Sequence, residues 1–203
     1  MRHEMNQNNG FFTGTIETPF VFGFVVPETG KRYFRGTVKI TKKNGIANIL
    51  PVVTEEETAV KEFKKGTTVK IAGNLRTYNF EENGKKKVDI YIFAYRIKPA
   101  KQTKPPLNFV MLEGYICKPL VNRTLKAGKK IAVVVIANNR GQGNTNYLPC
   151  VFYQKLADKV NSLKIGDFVR VTGRFQSRTY KKQGKQRTAY EVAVISLKTG
   201  KKQ

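Results

Sequence analysis

The 203-residue sequence contains no tryptophan, one histidine and two cysteines. With so few thiols and imidazoles, the chain offers no set of ligands that fits a zinc site. Cys117 and Cys150 fall within or beside apolar strand patterns, so we expect buried free thiols in a reducing compartment and no disulfide. We therefore predict a domain that folds without a metal and without a covalent cross-link.

Acidic residues are also scarce, at 14 in the whole chain. A nuclease or polymerase needs carboxylates that converge on metal ions, and a hydrolase needs a nucleophile with a base. The one acidic cluster, Glu55–Glu57, fits a Thr54-x-x-Glu57 capping box, where negative charge stabilises a helix N-terminus. We therefore predict a binding protein and not an enzyme, with no cofactor and no small-molecule substrate.

Long apolar runs are missing as well. No stretch reaches the length of a transmembrane helix, and residues 1–10 lack the apolar centre of a signal peptide. We expect a cytoplasmic protein that has no membrane partner.

Positive charge is what the chain has in excess. Lys and Arg number 38, the formal net charge is +24, and such an excess indicates a polyanionic partner. Residues 1–100 carry 17 basic and 10 acidic side chains, whereas residues 101–203 carry 21 and 4. If one half binds a phosphate backbone more tightly, we expect it to be the second.

The chain also repeats itself at a spacing of one hundred residues. Residues 63–75 align with residues 163–175, and both glycines of the segment stay in register. In the middle the spacing falls by two, where Leu50-Pro51 corresponds to Leu148-Pro149. A repeat this long predicts two domains and not a solenoid, whose period is roughly 20 to 50 residues. We place a first domain at 1–98, a basic proline-containing linker at 99–106, a second domain at 107–198 and a basic tail at 199–203.

Short runs of β-branched and aromatic residues, separated by Gly, Asn and Pro, predict five strands in each half. In the first half they are Phe11–Ile16, Arg32–Ile40, Ile46–Val53, Thr68–Leu75 and Val88–Ile97. In the second half they are Phe109–Ile116, Lys130–Ala137, Tyr147–Tyr153, Phe168–Phe175 and Ala189–Leu197. A helix is predicted between the third and fourth strands, from Thr54 to about Phe63 and from Gln154 to Leu163. This is the order of the OB-fold, a Greek-key barrel, so we predict an all-β chain of two tandem OB-folds.

Two stretches of the second half carry a family pattern. Residues 151–158, VFYQKLAD, are similar to an aromatic-Gly-Lys-Leu-Ala-Glu helix start, and residues 163–180, LKIGDFVRVTGRFQSRTY, to a Gly-x-x-Val-x-Val-x-Gly-x-Leu-x-x-Arg-x-Trp strand. Both patterns belong to the bacterial and phage single-stranded DNA-binding protein family. Residues 186–192 resemble its fifth strand and residues 109–116 its first, so the resemblance covers most of residues 107–197. The first half matches through its repeat relation to the second.

The resemblance implies sequence-independent binding of single-stranded DNA in replication, recombination or repair. Tandem units, and a Lys-Thr-Gly-Lys-Lys-Gln ending in place of the acidic tip usual in the family, look more like a phage or mobile-element version, which would act in the host cytoplasm. The family often works with four OB units. A homodimer would reproduce that number, through the apolar stretch Phe20–Val26 or the face carrying Tyr91, Phe93 and Tyr95.

The hairpin between the fourth and fifth strands is the predicted binding site, because it combines cationic side chains with flat rings that can stack on bases. Tyr180 and Tyr147 stand where the family has stacking tryptophans, and Phe80, with Tyr78 beside it, is the first-half equivalent of Tyr180. The candidate phosphate-binding residues lie on these hairpins or in neighbouring loops: Arg174, Arg178, Lys181, Lys182, Lys185, Arg187, Arg123, Lys126, Lys129, Lys130, Arg140, Arg76, Lys85, Lys86 and Lys87.

Three other segments have two interpretations each. The polar stretch Asn138–Asn146 is predicted to be a long flexible loop, which folds over bound nucleic acid or is an ordinary hairpin tip. Phe20–Val26 is predicted as core or strand extension, with a packing face as the alternative. The strand carrying Tyr91, Phe93 and Tyr95 is apolar on both faces, which favours cover by another protein surface over a nucleic-acid platform.

Two other functions stay open at this point. One is an RNA-binding OB protein, because aromatic stacking does not by itself distinguish the two sugars. The other is an adaptor in the replication machinery, whose apolar face binds protein and whose DNA affinity is incidental.

Overall fold

The structure is a computed structural model that describes residues 6–42, 44–82, 84–101, 105–125, 128–182 and 184–200. Within these ranges, the side chains of Glu82, Lys85, Lys86 and Lys182 are not described. No helix of the described chain is long and apolar enough to cross a membrane.

The first unit consists of five strands and one short helix. They are β1 (Asn8–Val26), β2 (Lys31–Thr41), β3 (Ala47–Thr54), α1 (Thr58–Glu62), β4 (Thr68–Glu82) and β5 (Lys85–Pro99). The second unit has the same order with one extra strand: β6 (Asn108–Ile116), β7 (Val121–Thr124), β8 (Lys130–Gly141), β9 (Asn144–Tyr153), α2 (Lys155–Val160), β10 (Phe168–Lys182) and β11 (Lys185–Thr199). Parallel pairings of β3 with β5 and of β9 with β11 close the two barrels. The predicted pair of OB-folds is confirmed.

Apolar side chains fill the inside of each barrel. Because successive residues of a strand point to opposite faces, the buried residues alternate, as Phe34, Val38 and Ile40 do along β2. Leucine, valine and phenylalanine from all sides meet in one buried cluster, and the helices close it with small or apolar residues such as Ala59 and Val160. Burial of this apolar surface is the main favourable contribution to folding.

Gly73 and Gly173 occupy the same bend in β4 and β10. The strand register shifts immediately before each of them, which is the mark of a β-bulge. A Cβ at either position would collide with a carbonyl oxygen of the neighbouring strand, that of Phe93 or that of Ala193. Only glycine therefore fits at these two bulges, where the strands bend around the barrel.

The predicted capping box is wrong. Helix α1 begins at Thr58, its N-cap is Glu57, and no side chain caps it. Thr54 is the last residue of β3, paired with Phe34 of β2, so its backbone belongs to the sheet. The helix can begin only after the chain has left that ladder.

The predicted flexible loop from Asn138 to Asn146 is also wrong. Strand β8 runs to Gly141 and β9 starts at Asn144, so only a tight turn joins them. Asn138 and Asn146 are buried, because their polar side chains find hydrogen-bond partners on neighbouring strands. The sequence shows that these side chains are polar, but it does not show that hydrogen-bond partners on other strands lie beside them in the fold. In the same way Arg123, predicted in a loop, lies on β7.

The two units join through β1 and β6. These strands pair antiparallel, with Asn8 opposite Leu112, Gly10 opposite Val110 and Phe12 opposite Asn108. Since residues 8 and 108 are equivalent in the repeat, this pairing is symmetric about Gly10 and Val110. The ladder merges the strands into one eleven-stranded sheet, and it relates the two barrels by an approximate two-fold axis.

Asparagine side chains reinforce this junction at equivalent positions. The Asn8 amide donates to the carbonyl of Leu75 at 2.7 Å and accepts from its N–H at 3.0 Å. Asn108 makes the same two bonds with Phe175, at 2.8 and 3.0 Å.

A second pair of asparagines links each hairpin to the other unit. The Thr77 N–H donates to Oδ1 of Asn146 at 3.1 Å, and the Ser177 N–H donates to Oδ1 of Asn48 at 3.2 Å. The β4–β5 hairpin is thereby fixed against β9, and the β10–β11 hairpin against β3.

Candidate nucleic-acid interface

The β10–β11 hairpin carries the first group of predicted site residues. Tyr180 is half-buried, and the guanidinium of Arg178 lies 5.3 Å from the centre of its ring. Arg178 also faces the buried carboxylate of Glu191 at 3.7 Å, which holds the arginine beside the ring. Three further cations predicted for this hairpin are exposed: Lys181, Lys185 and Arg187.

The β4–β5 hairpin presents two rings instead of a ring and a guanidinium. Tyr78 and Phe80 stack with centres 6.2 Å apart and planes 10° apart, and 55% of Tyr78 is exposed. In the repeat, Tyr78 corresponds to Arg178 and Phe80 to Tyr180. The two hairpins therefore both have a ring at the second of these positions and differ in the side chain beside it. Lys87 is half-buried on the same hairpin.

Tyr147 lies at the junction of the units. It is 43% exposed on β9, and its N–H donates to the hydroxyl of Thr77 on the first unit at 3.3 Å. The ring is therefore placed beside the root of the β4–β5 hairpin. The equivalent position in the first unit is Ile49, whose N–H donates to Ser177 at 3.3 Å.

The other predicted cations are dispersed. Arg123, Lys129 and Lys130 are exposed around the β7–β8 hairpin, and Lys130 faces Asp158 at 3.4 Å. Arg174 lies away from Tyr180, in a pocket beside Pro105 and Pro106 of the predicted linker. Arg76 and Arg140 line another pocket at the junction of the units. Lys126 lies outside the described residues, as do the side chains of Lys85, Lys86 and Lys182.

The structure adds an aromatic surface that the sequence did not predict. Phe24 on β1 and Tyr33 on β2 stack with centres 4.8 Å apart, and the guanidinium of Arg35 lies 5.1 Å from the Phe24 ring. We call Phe24, Tyr33 and Arg35 the aromatic–arginine surface. The exposed Phe22, whose ring lies 5.6 Å from the guanidinium of Arg32, pairs with Phe34 and therefore points to the opposite face of the two strands.

Strand pairing explains why this surface was missed. Phe20–Val26 was predicted as core or strand extension, and it is indeed the continuation of β1, with Phe20 buried. The arginine comes from β2, whose Tyr33 pairs with Phe24. The β1 segment 20–26 contains rings but no cation, so it does not by itself indicate a nucleic-acid surface. Residues 32–35, Arg-Tyr-Phe-Arg, carry the signal that would have revealed it.

Phe93 is covered from within its own unit. The guanidinium carbon of Arg76 lies 3.3 Å from the centre of the Phe93 ring, Tyr33 lies 6.0 Å away, and Phe93 is only 7% exposed. The prediction that another protein covers the Tyr91, Phe93 and Tyr95 face is therefore wrong for Phe93. Burial also raises the pKa of Tyr91, which is half-buried in the same group.

The acidic cluster of the first unit supports this surface. Glu55 accepts from Lys31 at 3.0 Å and from the Tyr33 hydroxyl at 2.9 Å, and Glu57 faces Arg32 at 3.3 Å. Partial burial acts to raise the pKa of Glu55, but the hydrogen bonds from Lys31 and Tyr33 outweigh it and lower the pKa. The carboxylate thus stays charged and orients Tyr33.

The cysteines and carboxylates form no reactive centre in the described chain. Both thiols are free, and burial raises the pKa of Cys150 well above its ordinary value and that of Cys117 as well. A raised pKa keeps a thiol protonated and unreactive. Among the described residues, no three histidines, cysteines or carboxylates are grouped so as to hold a metal ion.

Solved structures resemble the whole chain. The wild-type single-stranded DNA binding protein from Thermus aquaticus aligns with a TM-score of 0.78 and 20% identity, covering 98% of this chain and 96% of that one. A deletion mutant of the same protein aligns with a TM-score of 0.75 and 21% identity, covering 98% and 97%. At this identity the likeness establishes the fold, including the tandem arrangement of the barrels.

Sequence relatives match part of the chain. Single-stranded DNA-binding protein 1 of Staphylococcus aureus (strain COL) is 36% identical over 84 residues, which are 38% of this chain and 50% of the relative. The chain thus spans about half the length of this relative. Single-stranded DNA-binding protein 1 of Streptococcus pyogenes (serotype M18) is 32% identical over 97 residues, 44% of this chain and 74% of that protein. The profile of the Single-strand binding protein family matches residues 107–199. Because this chain covers most of the streptococcal relative, and because the family profile also matches it, the chain belongs to the single-strand binding protein family.

Proposed function

We propose that this protein binds single-stranded DNA without selecting its sequence. The observation that carries the proposal is the placement of rings beside guanidinium groups on both units, Tyr180 with Arg178 and Phe24 with Arg35. Rings stack on any base, and cations follow the backbone, so the pair binds a strand irrespective of its sequence. Family membership and the net charge of +24 support the same conclusion.

The proposed contacts extend over both units. Tyr180, Tyr147, Tyr78 and Phe80 are the proposed stacking residues, and the exposed cations of the two long hairpins are the proposed phosphate contacts. The aromatic–arginine surface adds a further stacking site in the first unit. Because the first unit carries its own rings and arginines, we expect it to bind DNA as well, in spite of its smaller net charge.

The cellular role is also a proposal. We infer an action in DNA replication, recombination or repair, in the cytoplasm and without catalysis. An origin on a phage or another mobile element stays a prediction, and the tandem units do not by themselves favour it, because the Thermus aquaticus structure shares the tandem arrangement. We retain residues 1–98 and 107–198 as the two domains, joined by residues 99–106 and followed by a tail at 199–203.

A competition between poly-dT, poly-U and duplex DNA tests the proposal. We expect poly-dT to bind most tightly, with log affinity falling against log salt by about 0.7 for each phosphate neutralised. Fluorescence anisotropy with a labelled dT oligomer across a salt series measures both quantities. A flat salt response, or duplex binding as tight as single-strand binding, contradicts the proposal. Tighter binding of poly-U favours the RNA-binding alternative.

A further inference from the structure

An open pocket of about 800 Å³ lies where the two units meet. It is lined by residues of β1, β4, β6, β8, β9 and β10 and by the two residues before β1, and every one of its lining side chains is polar. Most are asparagines, and the cations among them are Arg76, Arg140 and Arg170. A pocket with this lining suits a small charged group better than an apolar ligand.

The charges of the pocket do not balance. Arg170 is paired with Glu113, which is the one acidic residue in the lining. Arg76 and Arg140 then remain, two like charges at one site. Burial lowers the pKa of the Arg76 guanidinium and the neighbouring charge of Arg140 lowers it further, against the smaller opposing effects of Tyr91, Tyr33 and Glu55. An anion between the two arginines would remove this unfavourable interaction.

Two buried donors of the pocket lack acceptors among the described residues. One is Nε of Arg76 and the other is Nδ2 of Asn6. Asn6 is only 7% exposed, and its Oδ1 is already held by the N–H of Asn139 at 2.9 Å. The orientation of the side chain is thus fixed, and its amide nitrogen has no partner in the part of the chain that the structure describes. Buried donors that lack acceptors are costly, so a ligand with several acceptor oxygens fits this site.

The approximate two-fold axis supplies a comparison within the same chain. An equivalent pocket of about 480 Å³ has Gln176, Pro106 and Lys42 at the positions of Arg76, Asn6 and Arg140. There Lys42 donates to Gln176 at 3.4 Å, and Gln176 donates to Tyr153 and Glu191. This second pocket also holds two cations, Lys42 and Arg174, but Lys42 has an acceptor in Gln176, and none of its described residues has an unpaired buried donor. The combination of two arginines with two unpaired donors is therefore particular to one side of the junction.

The pocket also lies between two proposed stacking sites. Arg76 rests on Phe93, which contacts Tyr33 of the aromatic–arginine surface. On the other side lies Asn146, and Tyr147, the next residue of β9, points to the opposite face of that strand. A DNA strand stacked on Tyr33 that crosses β9 to reach Tyr147 would pass this opening.

We propose that the pocket binds one phosphate group through Arg76, Arg140 and the amide of Asn6, and that the backbone of a bound single strand supplies this phosphate as it crosses between the units. Guanidinium groups match phosphate oxygens in geometry and charge, and the amide adds a neutral donor. The proposal of a phosphate site depends only on the residues of the pocket. The proposal that the phosphate belongs to a DNA backbone rests on the proposed function.

Calorimetric titration of the full chain with inorganic phosphate, against sodium chloride of equal ionic strength, tests the site. We expect saturable binding of one phosphate per chain. Arg140→Gln should weaken it about tenfold or more, because a charge-assisted contact is lost. Lys42→Gln is the matched control, since it removes one positive charge at the equivalent position of the other pocket, and it should bind phosphate like the wild type. Absence of saturable binding, or equal loss in both variants, overturns the proposal.

Arg76→Gln needs a check of folding, because Arg76 packs on Phe93. Its thermal unfolding midpoint is compared with that of Arg140→Gln, whose side chain is less enclosed. Loss of phosphate binding in Arg140→Gln with an unchanged midpoint supports the site whatever the behaviour of Arg76→Gln.

Adding a dT oligomer to the phosphate-loaded protein identifies the source. Release of phosphate on binding of the oligomer supports a backbone phosphate in the pocket. Simultaneous binding of both overturns that assignment, since the pocket would then hold a free phosphate or nucleotide. If the oligomer does not bind at all, the proposed function fails, while the phosphate titration still decides whether the pocket is an anion site.

Discussion

At the scale of single residues, each long hairpin places a second flat side chain, a tyrosine or an arginine, beside an aromatic ring. The chain has no tryptophan, yet each long hairpin keeps a ring beside a second flat group, Phe80 beside Tyr78 and Tyr180 beside Arg178. A guanidinium is planar and stacks on bases much as a ring does, and it also carries charge. Each hairpin thus retains a flat surface of two groups, while the second unit gains a cation.

Replacing Tyr180 by Ala tests this interpretation. Loss of one stacked base should cost roughly 1 to 3 kcal/mol of binding free energy for a dT oligomer, measured by anisotropy at fixed salt. Phe24→Ala should cost a comparable amount if the aromatic–arginine surface also binds bases. Tyr180→Phe is the control and should be nearly neutral, because the ring stays.

Unchanged unfolding midpoints separate a binding defect from a folding defect. If Tyr180→Ala binds like the wild type, the hairpin is not the stacking site. If only Phe24→Ala binds like the wild type, base stacking is confined to the other sites.

At the scale of elements, the long hairpins depend on the opposite unit for their position. Strands β4, β5, β10 and β11 each contain 15 residues, longer than a small barrel needs to close. Isolated hairpins that extend beyond a core have little stability of their own. The bonds from Thr77 to Asn146 and from Ser177 to Asn48 fix them where they leave the barrels.

Replacing Asn8 or Asn108 by Ala should weaken the junction of the units. Each variant leaves a buried N–H and a buried carbonyl of β4 or β10 without a partner, which costs roughly 1 to 3 kcal/mol per group. Asn8→Ala should lose more, because Asn8 also donates to Asn138 at 3.0 Å. Urea unfolding measures the loss, and Asn122→Ala on the exposed strand β7 is the control. A loss no larger than that of the control would show that the asparagines do not hold the junction.

At the scale of the whole molecule, the chain is built like two copies of one protein joined by a linker. The β1–β6 ladder and both pairs of asparagines obey the same approximate two-fold axis. Closed two-fold pairing is the commonest form of oligomer, and duplication of a unit within one chain fixes the pairing permanently. Once fused, the two sides can diverge, as the pockets at Arg76 and Gln176 have done.

A homodimer of this chain would bring four OB units together, and we retain that prediction. Of the two faces first suggested, the Phe20–Val26 stretch has its rings beside arginines, and Phe93 lies under Arg76. If the chain dimerises, we expect the contact on the outer side of the β1–β6 ladder instead, where the partly exposed Phe11 lies opposite Phe109. Light scattering should give a mass near twice 23.0 kDa. A mass near that of one chain at all concentrations contradicts the homodimer.

The fold and the residue types of the proposed site could be predicted from the sequence. Strand periodicity, glycines in register and the repeat predict two OB barrels, because these patterns depend on neighbours along the chain. The ring on each hairpin and the cations around it could also be predicted, since they lie within a few residues of one another. Tyr180 and Arg178 are an example.

The contacts between residues that lie far apart in the sequence could not be predicted and are seen only in the folded chain. The aromatic–arginine surface needs the register of β1 against β2, and the burial of Asn138 and Asn146 needs partners on other strands. The Arg76–Arg140 pocket needs the two units to dock through β1 and β6. Such contacts depend on strand register and on the angle between barrels, which arise from the packing of the complete core and leave no local pattern in the sequence.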